Sequence, residues 1–278
     1  MGMASFHGLC VVAALSLATA ACTGAAPTLP GMGAGLEPPA TAGGLNLSPE
    51  EVAQSGPVAA FNPFSDLSGS TPGGREVITN PTMAEILAPV PGALTEVAYG
   101  NVDAPVTIVQ YASLTCPHCK RFHTEVYPAL KRDFIDTGKV RYILRDFPIG
   151  RQSGQGSIAL RCAAPDKYLS LYGKFLDQQP SWVSQEVRLD PIFAVAAQSG
   201  LSRADYDACR SNTALVENIK AIKDRGRKLG IIGTPNFYIQ DKLIKKAVDM
   251  AELSGMIEAA LRARTTASAV GVGGPQTP

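Results

Sequence analysis

Apolar and polar positions change rhythm several times along this chain, and each change marks a different kind of element. Val106, Ile108, Val109 and Tyr111 crowd a run interrupted only by Thr107 and Gln110. β-branched and aromatic residues packed this densely predict a buried strand over 105–111. Phe122, Val126, Leu130 and Phe134 then recur at spacing four, which predicts a helix over 122–136 with one apolar face, stopped at Gly138. Residues 140–145 read as a second strand. Strand, helix and strand in that order imply a parallel pair joined by a right-handed crossover. From Ser153 to about Gly230 the pattern turns helical, with candidate helices at 158–162, 168–176, 191–198, 203–209 and 213–229 and breaks at Pro165, Pro180 and Gly200. Strand character returns at 236–239, turns at Gln240-Asp241 and resumes at 242–244, before a closing helix over 250–262. The prediction is an α/β domain over 92–264: a βαβ half and a ββα half, separated by a helical insertion over about 152–230.

The flanks read differently. Residues 9–21 are apolar and uncharged but too short to span a bilayer comfortably. They read as the core of an export signal over 1–21, with Ala18-Thr19-Ala20 as the cleavage site. Cys22 follows three small residues, so a lipid-modified cysteine is the alternative fate of that junction. Residues 22–91 are rich in Pro, Gly and Ala, holding eleven of the 21 prolines and few charges. Such a segment buries too little surface to offset its ordering entropy, and it reads as a flexible tether with a short helix near 81–87. The tail over 265–278 is expected to be disordered. Overall composition adds little: 45% apolar residues support a packed core, and 25 basic against 24 acidic residues give no electrostatic basis for a nucleic-acid partner.

The chemistry concentrates at Cys116-Pro117-His118-Cys119, between the first strand and the first helix. A CxxC pair alone is weak evidence; after a strand and at the first turn of a helix it reads as a thioredoxin-like redox pair. Free amide N–H groups and the partial positive charge of a helix N-terminus favour a thiolate, the form that attacks disulfides. A static disulfide is out of place at a helix start. A zinc site needs about four ligands and no second CxxC exists, so no metal and no prosthetic group are expected beyond the pair itself. Cys162 and Cys209 are either two buried free thiols or a structural disulfide. The even cysteine set of an exported chain favours the disulfide, which would stabilise the fold by ~4 kcal/mol in the chain-entropy model. Trp182 reads as a packing residue and His123 as a helix-surface residue near the redox end.

Taken together, 103–109, Ser113-Leu114-Thr115-Cys116-Pro117-His118-Cys119, 136–141, Arg145-Asp146-Phe147-Pro148 and Gly233-Thr234-Pro235-Asn236-Phe237 resemble the DsbA-like thiol:disulfide interchange proteins, of alphaproteobacterial type. The resemblance covers about residues 96–260. It implies a thioredoxin fold split by a helical subdomain and a location in the bacterial periplasm, or tethered through Cys22. It makes Cys116 the nucleophile and Cys119 the buried resolving thiol. Pro117 and His118 are the dipeptide that tunes the thiolate. Thr234 precedes a cis Pro235 that faces the pair, its backbone offered to a substrate strand. The implied partners are reduced, unfolded exported proteins and a quinone-linked membrane oxidase that restores the disulfide. Gln110 departs from the pattern, standing where the best-known members carry a buried acid. Rival readings are an isomerase or reductase of the same fold, a copper carrier using Cys116, Cys119 and His118, and a binding lipoprotein with a vestigial enzyme core.

Overall fold

The structure is a computed structural model that describes residues 76–271, apart from 91 and 93, with side chains to residue 266. The signal and most of the tether predicted over 1–91, with Cys10 and Cys22, lie outside the described residues. Five strands form one sheet: β1 (Val97–Tyr99), β2 (Val106–Ala112), β3 (Val140–Asp146), β4 (Asn236–Ile239) and β5 (Lys242–Ile244), in the order β1-β3-β2-β4-β5. β2 and β3 pair in parallel, while β1, β4 and β5 are each antiparallel to their neighbours. β2 lies at the centre and carries its C-terminal end to the CxxC. The expected fold class is therefore the observed one. Only β1 had no counterpart in the sequence reading, because three residues are too few to show a period.

The crossover helix α2 spans 117–135 and is not uniform. Ordinary helical turns at Pro117–Arg121 and Tyr127–Leu130 alternate with wider π turns at Phe122–Val126 and Lys131–Ile135. Apolar residues at spacing four drift around a regular helix of 3.6 residues per turn. The wider turns absorb that drift, and Phe122, Val126, Leu130 and Phe134 are all buried on the sheet. Pro128, which has no N–H to give, sits next to the first π turn.

The two faces of the sheet are covered differently. One carries α2, most of the insertion and α9 (Met250–Gly271), packed over Ile108, Ala112, Tyr142 and Leu144. The other presents Val109, Tyr111, Ile143 and Tyr238, and it is covered partly by residues expected to belong to the tether. There α1 (Met83–Leu87) is capped at both reach and return by Thr82 and Glu85, and Ile86 is fully buried. Arg145 donates to the Ile86 carbonyl at 2.7 Å, and the Ile78 amide bonds the Lys228 carbonyl at 2.8 Å. Residues 76–90, expected to be part of the tether, are thus packed against the sheet. A capping box and four apolar residues (Ile78, Met83, Ile86, Leu87) outweigh the proline content of the stretch. The C-terminal limit moves as well: α9 continues through residues expected in the tail, with Thr265 and Thr266 bonding back to Leu261 and Arg262.

The insertion comprises α3 (Gly150–Cys162), α4 (Tyr168–Asp177), α5 (Gln179–Trp182), α6 (Leu189–Ala196), α7 (Arg203–Arg210) and α8 (Thr213–Lys228). α3 begins eight residues before the expected 158. Its Gly and Ser residues are weak helix formers, yet the close approach needs them. A Cβ on Gly156 would lie 3.0 Å from Leu114 Cδ1 and 3.3 Å from the Trp182 ring. Trp182 is fully buried and donates its indole N–H to the Phe175 carbonyl at 2.7 Å. Cys162, at the end of α3, is disulfide-bonded to Cys209 on α7.

Candidate active site

The local sequence explains why the redox pair splits into an open and a closed member. Cys116 is the residue capping α2, with extended backbone, and Pro117 occupies the first helical position, where a missing N–H costs nothing. The loop beneath is tied down: the Cys116 amide donates to the Ser113 carbonyl at 3.1 Å, and the Ser113 and Ser153 hydroxyls bond at 2.7 Å, joining it to α3. Gln179 of α5 donates to the Leu114 and Cys116 carbonyls at 2.8 and 3.2 Å. The insertion therefore braces the redox loop directly, which sequence reading missed because no local pattern signals a contact 63 residues away.

Both thiols are free, Cys116 half-buried and Cys119 fully buried. The Cys116 thiol is lowered to about 5, first by its hydrogen bond with Cys119, then by Thr234 and the Cys119 and His118 amides, against the opposing effect of burial. The helix N-terminus adds to this through the Cys119 and His118 amides. Burial pushes Cys119 the other way, well above the ordinary thiol range, and the neighbouring Cys116 adds to the rise. One sulfur is thus poised as an anion while its partner stays protonated. His118 is exposed, one residue from the sulfur.

The Thr234-Pro235 peptide is cis and lies against the pair, with the Cys116 thiol donating to the Thr234 carbonyl at 3.1 Å. The Thr234 hydroxyl is buried and has no partner of its own, leaving its proton available to a thiolate. The structure thus brings Cys116, Pro117, His118, Cys119, Thr234 and Pro235 together as the sequence predicted. Cys162 and Cys209 stand apart in the insertion. Among the described residues, no three His, Cys, Asp or Glu side chains gather as a metal-binding group.

Two groups differ from or extend the sequence reading. His123 is only partly exposed rather than an open helix-surface residue: it sits between the rings of Tyr127 and Tyr172, at 5.5 and 5.3 Å, and burial lowers its pKa. The wedge fits because residue 173 is glycine; a Cβ there would meet His123 Nε2 at 2.8 Å. Gln110 is buried, and its Oε1 accepts the Tyr142 hydroxyl.

A central parallel strand ending in a helix-capping cysteine, faced by a cis proline, defines a thioredoxin-fold dithiol protein. Residues 93–259 match the family model described as Thioredoxin, and the chain belongs to that family. The crystal structure of Wolbachia pipientis alpha-DsbA1 superposes with a TM-score of 0.59 at 28% identity, covering 66% of this chain and 99% of the other. Among curated relatives, disulfide bond formation protein D of Bacillus subtilis is 28% identical over 59% of this chain and 77% of its own length. A Rickettsia typhi protein named provisionally as a protein-disulfide oxidoreductase is 30% identical over 52% of this chain and 54% of its own. The chain thus spans about half the length of the rickettsial relatives it matches.

Proposed function

We propose that this protein is a thiol:disulfide oxidoreductase that donates its Cys116–Cys119 disulfide to reduced, unfolded proteins outside the cytoplasm. The observation that carries the reading is the opposite tuning of the two sulfurs, Cys116 lowered to about 5 and Cys119 raised. Whatever stabilises the reduced Cys116 thiolate makes the disulfide a stronger oxidant. A client thiolate attacks Cys116 in the oxidised pair, and Cys119 leaves. A second client thiol then attacks the mixed disulfide, releasing the oxidised client and the Cys116 thiolate. The Thr234 backbone offers an extended client a strand-like contact. Exposed Ile149 and Ile232, on the loops that carry Ser113's partner and Thr234, give unfolded clients an apolar surface. A membrane oxidase re-forms the disulfide, and the protein works in the periplasm, free or anchored through Cys22. No described helix is long and apolar enough to cross a membrane.

The test is the reduction potential of the pair in glutathione buffers. A strongly oxidising value supports a disulfide donor. A value near that of thioredoxin, about −270 mV, overturns it in favour of a reductase or isomerase.

A further inference from the structure

β5 forms one edge of the sheet, and part of its backbone points away from it. The Gln240 amide donates to the Thr107 carbonyl of β2 at 2.9 Å, so Gln240 and, by alternation, Tyr238 turn their backbone toward β2. Phe237 and Ile239 therefore turn theirs toward β5, where they stand opposite Ile244 and Lys242. The intervening Leu243 directs its N–H and C=O off the sheet, and among the described residues no backbone group bonds them. Such an edge is a template for another strand. It is also held still. The Gln240 side chain accepts from the Thr107 amide at 2.9 Å and donates to the Pro105 carbonyl at 3.2 Å, which ties the hairpin turn to the central strand.

The charges along this edge narrow what can pair with it. Lysine commonly blunts an edge strand, and Lys242, Lys245 and Lys246 all stand here. Lys246 is paired with Glu252 at 2.6 Å. Asp241 and Lys245 are exposed and have no ion-pair partner among the described residues. Two copies of one strand pair antiparallel about a twofold axis, so residue i of one meets residue j of the other and the reverse. An axis at Lys242 or at Lys245 sets that lysine against its own copy, and an axis at Ile244 sets Lys242 against Lys246. An axis at Leu243 sets Asp241 opposite Lys245 twice and brings no like charges face to face. In that register the outward N–H and C=O of Leu243 exchange both bonds with their counterparts. Both faces of the edge have apolar room. Val77, Leu229 and Tyr238 line an open cleft beside Leu243 on one face, and Ile239, Ile244 and Met256 line another on the opposite face. Val77 is 48% exposed.

We propose that β5 is the docking edge for a second copy of this chain, the two strands joining antiparallel about Leu243 into one continuous sheet. Backbone bonds at Leu243 supply the attraction, and the two Asp241–Lys245 pairs fix the register. Ile244 of each copy stands opposite Lys242 of the other, on the face of the cleft lined by Ile239 and Met256. The turn at Gln240-Asp241 lies at the end of β4 away from Pro235, so neither Cys116 nor Thr234 belongs to the interface. Each copy keeps its own redox pair open to clients.

The test is sedimentation velocity on full-length protein over a range of concentrations, in which the parent should form a dimer. Asp241→Lys and Lys245→Asp each set like charges opposite one another twice, and each should raise the dissociation constant about tenfold. The double variant carrying both changes restores the pairs in reverse and should recover the parent's constant. An equal mixture of the two single variants should do the same. Leu243→Pro removes the outward N–H and no bond of the hairpin, and it should leave only monomer. Disulfide exchange at Cys116 should be the same in every variant. A parent that stays monomeric overturns the inference; slow amide exchange at Leu243 in that monomer would assign the edge to a segment of the same chain. A dimer that ignores these substitutions, or that the double variant does not recover, overturns it as well. None of these outcomes touches the oxidoreductase reading.

Discussion

The two cysteine pairs of this domain use the same chemistry for opposite ends, and the difference lies in which end of a helix each occupies. Cys116 caps the N-terminus of α2, and its thiol pKa is lowered by Cys119 first, then by the Thr234 side chain and the Cys119 and His118 amides. Cys162 is the last residue of α3, and Cys209 is the last but one of α7. There the helix presents carbonyls and partial negative charge, which disfavour a thiolate. The first pair is free and reactive; the second is bonded and closes a loop of 47 residues across the insertion. A helix start makes a cysteine a reagent, and a helix end makes it a staple.

Breaking the first pair gives the largest expected effect. Cys116→Ser should abolish disulfide exchange with a model thiol while leaving the far-ultraviolet circular dichroism unchanged. Exchange that survives would locate the nucleophile elsewhere. Breaking the second pair should invert that outcome. Cys162→Ala with Cys209→Ala should lower the unfolding free energy by ~4 kcal/mol in denaturant titration, with exchange at Cys116 retained at temperatures where the protein stays folded.

The contrast can also be sharpened with pH. Cys116 titrates at about 5 in the fold against an ordinary value of 9.0. A folded value below the unfolded one contributes stability that is present above the unfolded value and lost as pH falls through the folded one. The reduced protein should therefore lose stability on acidification from about pH 9 toward about pH 5, relative to the oxidised protein, which has no Cys116 thiol to titrate. Cys119, raised by burial, stays protonated and adds no such slope over that window. Thermal melts of both redox forms across this range check the sign. Parallel curves would mean the Cys116 thiolate is not held.

The smallest effect belongs to the cis-proline loop. Thr234→Val removes a hydroxyl that helps hold the Cys116 thiolate, so the alkylation midpoint of Cys116 should move upward by a few tenths of a unit to about one unit. An unchanged midpoint would assign the lowering to Cys119 and the helix amides alone.

Much of this was open to reading in the chain. The CxxC announced itself by standing between a β-branched run and a run of spacing four, because burial enforces those periods locally. The parallel pairing of β2 and β3 followed from the strand–helix–strand order and the handedness of crossovers. What failed to show were elements that exist only through distant partners. α3 begins in a Gly- and Ser-rich stretch that no propensity favours, and it is helical because small residues let it pack on Leu114 and Trp182. Ile86 sits in a proline-rich stretch and is ordered because the far face of the sheet needs a cover, which Arg145 and Arg225 fasten at the Ile86 and Glu85 carbonyls. His123 looked like a surface residue on a helical wheel. The π turn and Gly173 turn it inward.

By itself, then, the sequence determined the positions of the reactive sulfurs and the alternation of strands and helices, consequences of local period and spacing, while the place of the Thr234-Pro235 loop came from the family resemblance. Tertiary structure alone decided how those sulfurs differ. Burial raises Cys119, while Cys119 itself and the Thr234 side chain join the helix amides in lowering Cys116. The insertion steadies the redox loop through Gln179 and Ser153. A thiol's acidity is set by the dielectric and the donors around it, and those come from parts of the chain that only folding brings together.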